Sequence, residues 1–271
     1  MSRSDVTPSV DKKKLQEWIL KRTSIAFTVL AIFFIGAAVG IIWLKNQTKD
    51  KGVSKTLRKG LNMNEGFNAL FFSDKHLAEN FPFGSAVKKP RVNGDVGMDS
   101  VLDTSKWQLR IVNFPESPDK DSVRMFTMDD IKSLPKVNVI FDFKCIEGWN
   151  EVTWWSGCRL IDFMKKFHLG TVDSSAPDAT SKALARWVGF VSTDSTYFVG
   201  IDMKSAVHPQ TILCYEMNGK PLPSSQGAPL RLIIPVKYGI KHIKRIGTIR
   251  FTDKRPNDYW WRKGYDYDAA L

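Results

Sequence analysis

The 271-residue sequence predicts an α+β domain behind a single N-terminal membrane-spanning helix. Thr23–Leu44 is a run of 22 residues without a charge; at 1.5 Å per residue it would cover about 33 Å, enough for a bilayer's hydrocarbon core. From Trp107 onward, short alternating apolar stretches of strand length are broken by brief helical patterns, with no internal repeat. A hydrophobic content of 43% over this length can bury one substantial core or two small ones.

The net charge of +12 invites a nucleic-acid reading, which its distribution argues against. Residues 1–60 hold 12 Lys/Arg against 4 Asp/Glu, and residues 61–271 hold 28 against 24. Most of the excess flanks the apolar run, not a folded face. No nucleic-acid partner is expected.

The chain divides into a basic, amphipathic N-terminus (1–22), the transmembrane helix (23–44), a polar juxtamembrane linker (45–60) and a folded domain (61–271). Within the first part, Leu15, Trp18, Ile19 and Leu20 suggest a short amphipathic helix leading into the bilayer. The apolar run ends in Ile41-Ile42-Trp43-Leu44 without a small-x-small site, so a retained anchor is preferred to a cleaved signal. Both flanks are basic, so counting positive charges does not orient it. Lys21-Arg22 is similar to a twin-arginine signal lacking its first arginine. The linker's lysines would suit an anionic lipid surface.

Leu61–Asn80 reads as a helix and turn. The strands then follow: WQLRIVN, VRMFTMDDIKSL with a helix starting near Met128, and KVNVIFDF. Lys182–Ile201 gives two more with a turn near Asp194-Ser195, and Tyr215–Pro223 gives another around an Asn218-Gly219 turn.

Phe143–Leu160, FKCIEGWNEVTWWSGCRL, is the centre of the domain. The apolar run Val137–Phe143 delivers Cys145 to a strand end. Gly148, three tryptophans and an expected turn at Ser156-Gly157 follow, and then a helix over Arg159–Phe167. A cysteine between a strand end and a helix start is placed to bind or react, although a buried free cysteine is more often a small apolar core group. Cys145, Cys158 and Cys214 form no CxxC, zinc or haem-attachment spacing, and sequence alone does not tell whether the last two pair.

A second signal is the cation group Lys237, Lys241, Lys244 and Arg245, interleaved with Tyr238, Ile240, Ile243 and Ile246. Four cations in nine residues are not expected all to face a core. They are compatible with a solvated edge or with a phosphate site.

Cys145-Ile146-Glu147-Gly148-Trp149 followed by Trp155-Ser156-Gly157 resembles the molybdopterin-binding domain of the sulfite oxidase family. HPQT, YEMNGKPLP, GAPLRL, P-x-KYG-x-K and IK-x-I appear in that family's order, and the resemblance covers nearly all of residues 61–271. It is nearest to bacterial membrane-associated members of the methionine sulfoxide reductase catalytic-subunit type. The resemblance implies a sulfite oxidase-type fold of mixed sheets with flanking helices, and a Mo-molybdopterin cofactor whose metal takes the Cys145 thiolate. It further implies that Arg91, Asn93, Ser192, Thr193, Gln226, Arg231, Lys241, His242, Ile243 and Lys244 hold the cofactor. For Arg91–Asp95 an ordinary Asn-Gly turn explains the residues equally well. The closing motifs Asp258-Tyr259-Trp260 and Gly264-Tyr265-Asp266 are expected to be structural.

One departure bears on substrate. Sulfite oxidases place an arginine soon after the metal-binding cysteine, whereas Ile146, Glu147 and Gly148 stand here, and an acidic group would oppose an anionic substrate. The expected function is a membrane-anchored molybdenum oxidoreductase catalysing oxygen-atom transfer or a related two-electron reaction, with Cys145, Glu147 and Tyr238 as catalytic candidates. Its substrate would be a small-molecule or protein-bound oxo compound. No haem or iron–sulfur motif is present, so electrons are expected to pass through a separate haem subunit of cytochrome b or c type. The family places such a domain on the periplasmic side of a bacterial inner membrane, with the N-terminus cytoplasmic. The competing expectation is a non-catalytic membrane-anchored subunit of an envelope complex that retains the fold. Such a protein would tolerate Cys145→Ser.

Overall fold

The computed structural model describes residues 12–50, 52–73, 75–99, 102–114, 123–178 and 180–271. Residues 1–11 of the expected cytoplasmic N-terminus lie outside the described residues. The chain separates into two compact units, one ending at Asp50 and taking in Ser54–Thr56, the other running Leu57–Leu271 with Lys51–Val53.

The first unit is dominated by α1 (Lys12–Lys45), 34 residues long and without a buried residue. The expected amphipathic lead and the apolar run form this single helix, since no proline interrupts it. By length and composition it is able to cross a membrane.

The second unit holds α2 (Lys55–Phe71) from Leu57 onward; this helix takes up the last residues of the expected linker and ends well short of Asn80. Next come β1 (Leu109–Val112), β2 (Val123–Phe126), α3 (Met128–Lys132), β3 (Lys136–Lys144), β4 (Asn150–Arg159) and α4 (Leu160–Phe167). The remainder is β5 (Trp187–Ser192), β6 (Phe198–Asp202), α5 (Met203–Ala206), β7 (Ile212–Met217), β8 (Lys220–Pro221), β9 (Arg231–Ile233), β10 (Ile246–Thr252) and α6 (Tyr259–Arg262).

Two five-stranded sheets result among the described residues. One has the order β2-β1-β10-β5-β6, with β1 and β10 parallel and the other pairs antiparallel. The other runs β8-β7-β4-β3, with β9 also on β7, and is antiparallel throughout. Strand β7 shows why this second sheet is firmly held. Leu213 and Tyr215 enter the large core with Phe163, Phe190 and Phe251, while Ile212 and Cys214 on the alternate face pack with Phe141 and Trp155.

Local chemistry explains the boundaries near the site. Thr127 and Asp130 form a reciprocal capping box that starts α3. α4 buries Leu160, Ile161, Phe163 and Met164 and stops at His168, whose backbone is left-handed. Ser156-Gly157 is not the expected turn but lies within β4, at a register irregularity against β7. Glycine is needed for close approach: a Cβ there would press on the Leu213 carbonyl oxygen and sit 2.8 Å from the Cys214 Cα. Cys145 consequently lies in a β3–β4 hairpin, with a ten-residue strand between it and the helix.

Candidate active site

The β3–β4 connection is short and self-bonded. The Cys145 N–H donates to the Trp149 carbonyl (2.9 Å) and the Gly148 N–H to the Cys145 carbonyl (3.0 Å). Gly148 takes φ 90°, which suits glycine alone. This turn holds the Cys145 thiol, 8% exposed, on the wall of a cavity of about 320 Å³. Cys158 and Cys214 are free, buried thiols, each pushed up to about 12 by burial. They remain protonated core groups, unpaired with each other, and neither lines the cavity.

Long-range contacts assemble the wall around Cys145. The Asn93 side-chain amide donates to the Cys145 sulfur (3.7 Å) and to Glu147 Oε2 (3.1 Å), which also accepts from the Trp149 indole (3.0 Å). The Arg91 guanidinium lies 4.8 Å from the Trp149 ring centroid, and its backbone N–H donates to Glu151 (2.8 Å). Gln226 donates to the Arg91 carbonyl (3.1 Å) and receives the Arg231 guanidinium through its side-chain oxygen (2.9 Å) and its carbonyl (3.0 Å).

Arg231 is 3% exposed, stacks 4.5 Å from the Trp155 ring centroid, and leaves its Nε without a partner. Burial, partly offset by Cys214, brings its pKa down to about 10, so it stays cationic at neutral pH. Lys244 Nζ is caged by the carbonyls of Asn93 (3.0 Å), Gly94 (2.9 Å) and Ser225 (3.1 Å). Burial and then nearby Arg231 lower it to about 8, against the pull of Asp95. His242 is held near 3 by burial and then Arg231, so its ring is neutral, with Nε2 toward the Lys237 carbonyl at 3.1 Å.

Of the residues expected at the site, Arg91, Asn93, Cys145, Glu147, Gln226, Arg231, His242 and Lys244 line this one cavity. Five do not. The Ser192 hydroxyl donates to Asp194, Thr193 is held by its N–H on the Arg245 carbonyl, Ile243 is core, and Tyr238 is half-buried with its N–H on the Ala269 carbonyl. Lys241 is 1% exposed and donates to Asp258 (2.6 Å) and the Gly200 carbonyl (3.0 Å).

Three of the four cations turn inward, Lys241 among them, and the fourth is half-buried. Lys237 is buried against Asp268 and Asp202, Arg245 is buried on the Met98 carbonyl and the Ser224 hydroxyl, and Lys244 is the member that reaches the cavity. Trp260 and Tyr265, expected to be structural, form part of the cavity wall, as does Tyr197. Nothing local in the sequence marks these three, because the fold alone brings them to the cavity that Cys145 lines.

Among the described residues, no group of three or more His, Cys, Asp or Glu could hold a metal ion. A metal held at Cys145 would therefore need its other ligands from an organic group. The model for the oxidoreductase molybdopterin-binding domain matches residues 96–260. The chain belongs to that family. This molybdopterin-binding oxidoreductase is 29% identical over 81% of its length to 78% of a putative protein-methionine-sulfoxide reductase subunit YedZ1 from Azospira oryzae. It is 33% identical over 59% of its length to the protein-methionine-sulfoxide reductase catalytic subunit MsrP of Xanthomonas campestris pv. campestris, of which it spans about half (49%). A solved structure, the sulfane dehydrogenase SoxCD from Paracoccus pantotrophus, aligns over 67% of this chain and 46% of its own at 16% identity and a TM-score of 0.46.

The residues present fit the family's cofactor. A phosphate-bearing organic group needs cations and spare donors, and the cavity offers the buried Arg231 with an unpartnered Nε, the half-buried Lys244 and the exposed Arg91. A flat heterocycle needs aromatic walls, which Trp149 and Trp155 provide. A redox metal suits a soft sulfur ligand, which Cys145 on the cavity wall could supply.

Proposed function

We propose that this molybdopterin-binding oxidoreductase is membrane-anchored through α1, carries Mo-molybdopterin in the Cys145 cavity, and transfers an oxygen atom to or from a neutral substrate. The observation that carries it is the thiol of Cys145 on the wall of a cavity whose other walls hold Arg91, Arg231 and Lys244. Cys145 would be the protein's metal ligand. Arg231 and Lys244 would hold the phosphate, with Arg91, Asn93, Gln226 and His242 shaping the pterin's bed. When bound, the cofactor supplies a two-electron redox centre suited to oxygen-atom transfer.

The chain's own residues set what may approach it. Glu147 is fixed by Asn93 and Trp149 beside the sulfur, so that a carboxylate's field acts next to the thiol. That field disfavours sulfite and tolerates an uncharged sulfoxide. With relatives named as protein-methionine-sulfoxide reductases, the substrate to test first is methionine sulfoxide in a protein. Its reduction consumes two electrons and two protons and gives the thioether and water, and a separate haem subunit in the same membrane would deliver the electrons.

Purified protein from a host that makes the cofactor should reduce a methionine-sulfoxide-containing protein with a reduced viologen as donor, and Cys145→Ser should lose nearly all of that rate. Equal rates in wild type and variant would overturn the catalytic reading and leave the non-catalytic subunit standing. A wild type that turns over sulfite but no sulfoxide would overturn the choice of substrate.

A further inference from the structure

Helix α2 is oriented against the usual rule for a helix on a folded domain. Its inward stripe is largely polar. Arg58 lies 4.0 Å from the Trp261 ring centroid, Glu65 pairs with Arg255 at 2.7 Å, and the Asn68 amide donates to Asp268 at 3.2 Å. The opposite face presents Met63, Phe67, Leu70 and Phe71, exposed by 69%, 62%, 80% and 65%. Their spacing of i, i+4, i+7 and i+8 makes one continuous stripe, and the Phe67 and Phe71 rings pack together at 4.9 Å. A globular surface rarely leaves such a patch uncovered.

Two further observations say what covers it. Only nine residues separate the end of α1 from the start of α2, a reach of about 30 Å at full extension. The sequence around the approach to α2 is also strongly basic: Lys45, Lys49, Lys51, Lys55, Arg58 and Lys59 stand against the single acid Asp50 between Lys45 and Asn64. Lys49, Lys55 and Lys59 are exposed. An apolar helix face with lysines near its entry is the chemistry that lies in a headgroup layer and draws anionic lipid.

We infer that the Met63–Phe71 face of α2 rests in the interface of an anionic bilayer, fixing the height and tilt of the catalytic domain over the membrane. This rests on the reading of α1 as an anchor. The contacts of Arg58, Glu65 and Asn68 then act as a clamp that keeps the apolar face outward, so that the domain is a rigid body on a membrane-lying helix.

The test uses the full chain in vesicles of phosphatidylethanolamine and phosphatidylglycerol. A Leu70→benzoylphenylalanine variant is irradiated beside an Asn62→benzoylphenylalanine variant, which places the probe on the flank. Lipid adducts at position 70 and their loss at position 62 are the expected result. They should also be lost from a Met63 probe when Phe67→Asp and Phe71→Asp are introduced. No lipid adduct at position 70, or equal adducts at both positions, would overturn the inference. So would adducts to a protein in native membranes with none to lipid in vesicles, which would give the face to a protein partner. Alkaline carbonate extraction separates the two readings. A chain that resists extraction without lipid adducts keeps the anchor and refutes the face, while an extracted chain that still forms adducts keeps the face and refutes the anchor.

Discussion

Lys241 is almost wholly inside the protein, and its ammonium is matched by one carboxylate, Asp258, itself 2% exposed. Burial lowers the lysine's pKa and Asp258 pulls it back up. Asp258→Asn removes the charge that balances it, and loss of one partner of a buried pair costs about 3–5 kcal/mol. Thermal or denaturant unfolding should show a loss of that order, and a loss under ~1 kcal/mol would mean the pair is not fully desolvated. His242 gives a prediction with a sign. Its folded pKa of about 3 is below the unfolded value of about 6.5, so on acidification the unfolded chain takes a proton that the folded one refuses. Stability should therefore fall as pH drops from about 6.5 toward 3, by at most about 1.4 kcal/mol per pH unit from this residue, and His242→Gln should flatten that slope. The cation cluster shows the limit of local reading. Lys237, Lys241 and Arg245 were left between a solvated edge and a phosphate site because the partners that bury them, Asp202, Asp268, Asp258 and the Met98 carbonyl, lie far away in sequence. Cys145 and Lys244 were legible because they sit in dense local motifs, whereas Trp260 and Tyr265 become cavity wall only through the fold.

Among the elements, β4 carries the most information and was the most easily misread. Ser156-Gly157 has the composition of a turn, and only the approach of β7 shows that Gly157 serves packing within a strand. Gly157→Ala forces β4 away from β7 and is expected to cost at least ~1–3 kcal/mol, the usual range for overpacking. Because β4 runs back from the Cys145 turn, the same substitution should weaken cofactor retention. Unchanged melting of Gly157→Ala would contradict the close approach. Alternation and apolar spacing made β3, α3, β5 and β6 readable with errors at their ends, since their patterns are local. The pairing of β1 parallel to β10 is invisible to such patterns because about 135 residues separate the strands.

At the scale of the molecule, the unit from Leu57 to Leu271 holds its own cores and the whole of the cavity. A chain begun at Lys51 should therefore fold, melt within a few degrees of the full-length protein and keep its cofactor, while losing carbonate-resistant anchoring and keeping only the peripheral contact with anionic lipid that α2 makes. Loss of the cofactor on that truncation would show that the first unit supports the site. Charge tells the same story at this scale, for most of the positive excess lies within residues 1–60 and leaves the domain nearly balanced. The function proposed for this protein depends on Cys145 binding molybdenum in a pterin-loaded cavity. Its most direct test is the molybdenum and pterin content of detergent-purified wild type and Cys145→Ser from a cofactor-competent host. Near-stoichiometric molybdenum and pterin in wild type, with molybdenum lost or its absorption altered in the variant, is the predicted result. Absence of both from wild type, or identical loading and spectra in the two proteins, would contradict it.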